Sequence, residues 1–432
     1  MIKLAVIADD LTGANDTGVQ FSKFGLQTII LLGAENKEVL VNNADILVLD
    51  TDSRAELSLV AAERVTKACK KVEELGISHL YKKIDSTLRG NICAEISAAC
   101  IEFKPVVTVI APAFPNTGRV TIGGHQLLEG KPISMTEIAH DPKTPVTESW
   151  IPNLLAREDG KVGIIPLEKV MGGPLVIHEE IIKHLATGEN WLVFDAVSEE
   201  NLRHIAEAAA QFERVLWVGS AGLAEQLSPV FQWAKEPEKR SAIVSNHSLQ
   251  LVVAGSVSAV TQRQIRTYIE EKSVPYIQLD SVAAILRPTQ EIERVVSCAK
   301  SYLQEKDLVI YCSNDKDIVT QVIAAGKSIS MDSTEVGIRI AMVLGQVVAE
   351  LGKEGLAGLF LTGGETAVSS CRALQAIGIE ILQEVIPGIP LGKIIGGQFQ
   401  GLGVITKAGA FGDDHAIIEA MKVFEIGKED LI

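Results

Sequence analysis

The chain has 432 residues, 47% hydrophobic and 22% charged, with a formal net charge of −15. That apolar share excludes a disordered chain, and the length predicts two or three domains. The negative balance excludes sequence-independent binding to nucleic acid or an acidic membrane surface, but not capture of a small anion where basic groups converge. The six cysteines form no C-x-x-C pair and the eight histidines no metal-ligand spacing, which argues against a disulfide framework and leaves any metal ligands unassigned. No apolar run is long enough to span a bilayer, and the start "MIKLAVIADD" is too short for a secretory leader. A cytoplasmic protein without membrane or nucleic-acid partners is therefore expected.

In chain order, "IKLAVIA" reads as a strand and "GANDTGVQFSKFG" as a helix closed by Gly25. "TIILLG" and "DILVLD" follow as strands, then the amphipathic helix "ELSLVAAERVTKACKKVEELG" ending at Gly76, a fitting residue after a helix. "NICAEISAACIEF" continues as a helix and "VVTVIAPAF" as a strand. From Pro112 to Pro174 the periodicity fades among Pro, Gly and Thr; this segment reads as an insertion or lid-like excursion. Alternation returns with "WLVFDAV", "NLRHIAEAAAQF" and "RVLWVGSAGLAEQL", and breaks again in "SPVFQWAKEPEKRSAIVSNHS". A second series runs from "LQLVVAGS" through "DLVIYCSND", a long helix containing "GIRIAMVLGQVVAELG", "LAGLFLTGGETA" and "GVITKAGAFGDD". Strands separated by helices predict an α/β protein: two α/β domains with largely parallel sheets facing an interdomain cleft. The expected boundaries are residues 1–235, a linker at 236–248, and 249–432.

In an open parallel sheet, ligands bind beyond the carboxyl ends of the strands. Those ends in the first half carry Asp9 and Asp10, then Thr51-Asp52-Ser53-Arg54, then "KKIDSTLRGN" with Lys83, Ile84, Asp85, Ser86 and Arg89, then Pro115, Asn116 and Arg119. Carboxylates accept hydrogen bonds from sugar-type hydroxyls, arginine holds a carboxylate bidentately, and an aspartate can take a hydroxyl proton. The combination points to a small polyhydroxylated acid. Taken singly, each piece has an ordinary reading. Asp9 and Asp10 suit a helix N-terminus, Arg54 a surface position, and Lys82 with Lys83 a solvated face.

The second half repeats strand, tight turn, helix at Ala254-Gly255-Ser256-Val257-Ser258, Thr362-Gly363-Gly364-Glu365-Thr366 and Lys407-Ala408-Gly409-Ala410-Phe411-Gly412. One such turn is punctuation; three predict a nucleotide site. "GIPLGKIIGG" lacks the Walker A spacing, and no dinucleotide fingerprint is present.

Together, "IADDLTGANDTGV", "KKIDSTLRGN", "VVAGSVSAVTQRQ", "GLFLTGGETA" and "VITKAGAFGDD" resemble the four-carbon acid sugar kinase family, in the same order and over nearly the whole chain. The wording is most similar to threonate and erythronate kinases. The resemblance implies an N-terminal substrate domain, a C-terminal nucleotide domain, and ATP with Mg²⁺ as cofactors. It implies phosphorylation of the 4-hydroxyl of D-threonate, D-erythronate or a 3-oxo-tetronate. It places Asp10, Arg54 and Lys83–Ser86 on the acid sugar, and Ser256, Gly363, Gly364, Glu365, Thr366 and Gly409 on ATP. Glu365 stands where the family commonly has an aspartate. Arg54 and Arg89 are expected on the sugar carboxylate, and Lys83 or Lys407 on the moving phosphoryl. Asp10 or Asp85 is the expected base, with Asp413 third because "AGAFGDD" loosely resembles the G-A-G-D turn of ribokinase-like kinases. Two rivals are an oxidoreductase and a two-lobed solute-binding protein. A homo-oligomer is compatible with the sequence, which does not specify the tetronate.

Overall fold

The computed structural model describes residues 2–33, 43–141, 143–155, 162–236, 247, 249–303, 305–409 and 411–426. The chain divides into two compact units, residues 1–238 and 239–432. Eleven of the thirteen residues assigned to the linker, 237–246 and 248, lie outside the described ones, as does Ala410 of the third turn.

The first unit is built on β1 (Leu4–Ala8), β2 (Thr28–Leu32), β3 (Ile46–Asp50), β4 (Leu80–Lys83), β5 (Val107–Ala111), β9 (Val162–Ile165), β10 (Trp191–Phe194) and β11 (Val215–Gly219). They lie in the order β2-β3-β1-β4-β11-β5-β10-β9, every neighbouring pair parallel. β1, β3 and β4 are buried along their whole length, as expected of a parallel sheet covered on both faces. β1 connects through the helix Leu11–Ser22 to β2 on one side; β4 connects through the helix Ile92–Phe103 to β5 on the other. The strand order therefore reverses between β1 and β4, the place where an open α/β sheet leaves a crevice at its carboxyl edge. Register sets the ends level, with Ala8 opposite Asp50 and Ile7 opposite Lys82.

The segment 112–174 is more ordered than its composition suggests. It holds a small antiparallel sheet of β6 (Arg119–Ile122), β7 (His125–Leu128) and β8 (Lys131–Pro132), and it supplies β9, the edge strand beside β10. Four residues of mixed pattern are enough for an edge strand, which explains why periodicity did not mark it. Buried Asp195, just after β10, fastens this excursion by accepting the N–H groups of Gly123 (2.7 Å), Gly124 (2.9 Å) and Leu167 (3.0 Å).

The second unit contains β12 (Gln250–Ala254), β13 (Tyr276–Gln278), β14 (Asp307–Tyr311), β15 (Gly358–Thr362), β16 (Gly378–Ile386), β17 (Ile389–Ile395) and β18 (Gly403–Lys407). Their order is β13-β14-β12-β15-β18-β17-β16; the first five are parallel, and β17 and β16 add antiparallel pairs. "GIPLGKIIGG" proves to be β17, with Lys393 opposite Gly403, so its Gly-Lys is strand and not a phosphate loop. Ala254, Thr362 and Lys407 are level across β12, β15 and β18, which brings the three glycine turns to one edge. Among the described residues no helix is long and apolar enough to cross a membrane, and all six cysteines are free.

Candidate functional site

At the end of β1 the chain leaves the sheet at Asp10, whose extended backbone (φ −148°) makes it the N-cap of Leu11–Ser22. Its carboxylate accepts the Gly13 N–H at 2.7 Å, the ordinary use of aspartate there. The same side chain also pairs with Arg54, Nη1 to Oδ2 at 2.5 Å. Arg54 grips Asp9 bidentately, Nε to Oδ2 at 2.7 Å and Nη2 to Oδ1 at 2.9 Å. It is only 16% exposed, so it is not the surface residue that its position alone allowed. The Asp9 carbonyl accepts the N–H groups of Ser53 and Arg54, which locks the β3 loop to the β1 loop.

Lys82 and Lys83, adjacent on β4, point to opposite faces. Neither is solvated; they are 0% and 3% exposed. Lys82 turns inward, its Nζ 2.8 Å from Glu95 Oε2 and bonded to the carbonyls of Ile7 and Lys83. Glu95 Oε1 accepts from Ser53 at 2.6 Å, and Ser53 meets Thr51 at 2.7 Å. Lys83 points the other way, and its Nζ bonds the Ile84 carbonyl at 3.0 Å. A Cβ on Gly13 would lie 2.7 Å from Asp10 Oδ1, 3.0 Å from Lys83 Nζ and 3.6 Å from Arg54 Nη2. Those three groups thus converge over a glycine that can hold no side chain. Gly90 (φ +99°) is equally constrained, because a Cβ there would sit 3.2 Å from Asp9 Oδ2.

After β4, Asp85 accepts from Arg89 Nε at 2.6 Å and from Thr87 Oγ1 at 2.5 Å. Arg89 also reaches Asp141 of the excursion at 3.4 Å. Ile84 is buried, and Ser86 offers its carbonyl to Gln126 Nε2 at 2.7 Å. So Asp10, Arg54, Lys83, Asp85 and Arg89 are brought to one carboxyl edge, with Ile84 and Ser86 shaping the loop between them.

The electrostatics separate the three aspartates. Burial pushes Asp9 up, but Arg54, helped by Lys82 and Lys83, outweighs it and holds Asp9 below the ordinary carboxylate value. Burial, with repulsion from Asp9, lifts Asp10 above that value against the pull of Arg54. Asp85 is opposed by burial yet held well down by Arg89 and Arg54. Of the carboxylates that sequence nominates as a base here, Asp10 is the more basic.

In the second unit, Ser256 lies between the other two turns. A Cβ on Gly409 would collide with Ser256 Oγ, one on Gly255 with Thr366 Oγ1, and one on Gly363 (φ +104°) would lie 3.4 Å from the Ser256 N–H nitrogen. Ser258 Oγ and Thr261 Oγ1 both donate to the Gly409 carbonyl at 2.7 Å. The helix Gly364–Ala373 starts at the Gly363 turn with Glu365 exposed in its first turn. At the end of β18, Lys407 is 3% exposed and, among the described residues, donates to oxygens without charge: the carbonyls of Ala408, Gly409 and Phe411 and the Thr261 hydroxyl. Burial draws its ammonium down to about 8. A buried cation with no carboxylate partner among the described residues, beside glycine turns, has the chemistry to receive an anion. Asp413, the third base candidate, is exposed and accepts the His415 N–H at 3.0 Å before the final helices. No cluster of three His, Cys, Asp or Glu able to hold a metal exists among the described residues. The one acidic residue in the first turn of the helix after Gly363 is Glu365.

Sequence reasoning did not single out Glu95, Asp141 or Gln126. Glu95 left one trace, a lone carboxylate in the apolar run "NICAEISAAC".

The fold defines a two-unit α/β protein in which each unit gathers charged and polar loops at the carboxyl edge of its parallel strands. A sugar-binding N-terminal domain matches residues 4–227, and a nucleotide-binding C-terminal domain matches residues 251–417. The chain belongs to the four-carbon acid sugar kinase family. It is 37% identical to a D-threonate kinase of Salmonella typhimurium (98% of this chain, 99% of the relative). It is 31% identical to a D-erythronate kinase of Heliobacterium modesticaldum (96% and 95%) and 28% identical to a 3-oxo-tetronate kinase of Pseudomonas savastanoi (97% and 96%). A solved Haemophilus influenzae protein shares the fold with a TM-score of 0.77 at 25% identity, covering 97% of this chain and 100% of that one.

Proposed function

We propose that the protein transfers the γ-phosphoryl group of ATP to the 4-hydroxyl of a four-carbon acid sugar, D-threonate or D-erythronate. The observation that carries this reading is the convergence of Asp10, Arg54 and Lys83 over Gly13 at the sheet's reversal point. Kinases of both acids, at 37% and 31% identity, support it; 3-oxo-tetronate kinases match at lower identity and give the second reading.

Asp10 is the general base. As the 4-oxygen bonds to the γ-phosphorus, its proton passes to the Asp10 carboxylate, and the bond to the bridging β–γ oxygen breaks to leave ADP. Arg54 orients Asp10 through their ion pair and keeps two N–H groups for the sugar, since three of its five are spent on Asp9 and Asp10. Lys83 supplies positive charge at the same edge. Asp85, fixed by Arg89 and Thr87, accepts hydrogen bonds from sugar hydroxyls, and Ile84 and Ser86 wall the loop. In the second unit Ser256, Gly363, Gly364, Thr366 and Gly409 receive the nucleotide, and Lys407 balances phosphate charge. Glu365 would help to hold a Mg²⁺ brought in with the nucleotide, and that ion would supply positive charge against the phosphates. Catalysis rests mainly on alignment and charge.

A coupled ADP-release assay with ATP–Mg²⁺ over a panel of four-carbon acids tests the proposal. Turnover with D-threonate or D-erythronate is expected. Turnover confined to a 3-oxo-tetronate favours the second reading, and no ADP with any four-carbon acid refutes both.

A further inference from the structure

The two arginines expected to hold the substrate carboxylate have their charge balanced by protein carboxylates, Arg54 by Asp9 and Asp10 and Arg89 by Asp85 and Asp141, even though Arg54 keeps two N–H groups for the sugar. Arg119 is different. It opens β6 just after Gly118 (φ +75°), closed onto Phe114 by backbone bonds in both directions. Its Nη1 donates to the Thr117 carbonyl at 2.6 Å. Its Nε is buried without a hydrogen-bond partner, and it has no ion pair among the described residues. Arg119 is half-buried, and a buried guanidinium N–H left without a partner is costly, so it calls for an acceptor.

The excursion that carries Arg119 is tied to the site. Thr121 Oγ1 donates to Gln126 Oε1 at 2.7 Å, and Gln126 Nε2 donates to the Ser86 carbonyl at 2.7 Å. Arg119 and Thr121 are two residues apart on one strand, so their side chains share the hairpin face from which Gln126 reaches Ser86. Arg119 also feels Asp85 as an attracting charge and Arg89 as a repelling one, after the larger effect of burial.

We propose that Arg119 is a specificity-determining residue, whose guanidinium receives the carboxylate of the acid sugar and so separates an acid from a neutral polyol. The planar fork of arginine suits that bidentate task. This inference rests on the kinase reading above. It also gives the 112–174 excursion a role: presenting one cation to the β4 loop.

The test compares the full-length enzyme with Arg119→Met and Arg119→Lys, using the preferred four-carbon acid and the matching neutral polyol. Arg119→Met should raise KM for the acid roughly 10- to 100-fold, the loss expected of one charged hydrogen-bonded contact, with KM for ATP unchanged. Its kcat/KM for the polyol should stay within about twofold of the parent, since no contact to the polyol is lost. Arg119→Lys should fall between and guards against a folding defect in the Met variant. Loss of acid and polyol turnover alike, or an unchanged acid KM in both variants, overturns the proposal. A parent enzyme inactive on every four-carbon acid overturns the kinase reading itself, which distinguishes the two failures.

Discussion

Glu95 gives a sharp test of what holds the three loops in place. Its side chain is 2% exposed, and it is the carboxylate partner of Lys82, which is itself fully buried. Replacing Glu95 with Gln keeps the volume and the Ser53 contact but leaves the Lys82 ammonium with only the carbonyls of Ile7 and Lys83 in addition to a neutral amide. Breaking one side of a buried pair costs about 3–5 kcal/mol, a large part of the roughly 5–15 kcal/mol that a domain commands. For a unit of this size, that corresponds to a fall in Tm of roughly 6–20 °C. All four tryptophans, Trp150, Trp191, Trp217 and Trp233, belong to the first unit. Tryptophan fluorescence therefore reports unfolding of that unit alone. The double variant Lys82→Met with Glu95→Leu should recover most of the loss, because a well-packed apolar pair replaces a buried ion pair at little net cost. A Glu95→Gln protein melting within about 2 °C of the parent, with a double variant no better, would refute the claim that this pair clamps the loops.

Three further outcomes follow from the same geometry. Asp10→Asn keeps an N-cap for Leu11–Ser22 but removes the base, so kcat should fall by roughly 10²–10⁴-fold with little change in Tm; steady-state kinetics beside a thermal melt checks it. Lys407 titrates near 8 in the folded chain against 10.5 for a free lysine, so the folded form binds fewer protons between those values, and stability rises with pH across that window. A bound triphosphate favours the charged ammonium, so nucleotide affinity should weaken as pH climbs past about 8, and Lys407→Met should flatten that dependence in calorimetric titrations. Asp85 has its folded value held below the ordinary 3.8. Its contribution is fully present above that pH and is lost as pH falls towards the folded value, so Asp85→Asn should lessen acid destabilisation followed by circular dichroism.

Much of the fold was legible because parallel strands are short apolar runs with polar ends. Gly25 and Gly76 show why boundaries were less so. The first helix starts at Leu11 with Asp10 as cap and stops at Ser22, three residues short of Gly25. Gly76 does take a positive φ of 66°, one residue beyond the cap of its helix. β9 and the β16–β17 hairpin escaped notice because edge and antiparallel strands carry weaker patterns. The polar edge was readable as composition, but not its wiring. That Lys82 would turn away from Lys83 follows from strand alternation; that it would find Glu95 depends on how the following helix packs. Arg119 was visible only as a residue after β5, and nothing local marks its Nε as unpartnered.

The most direct test is the identity of the product. With ATP–Mg²⁺ and D-threonate or D-erythronate, phosphorus–proton correlation spectra should show a phosphate ester coupled to the protons on carbon 4, with ADP formed in equal amount. Phosphate on another carbon, or ADP accompanied only by inorganic phosphate, would contradict the account.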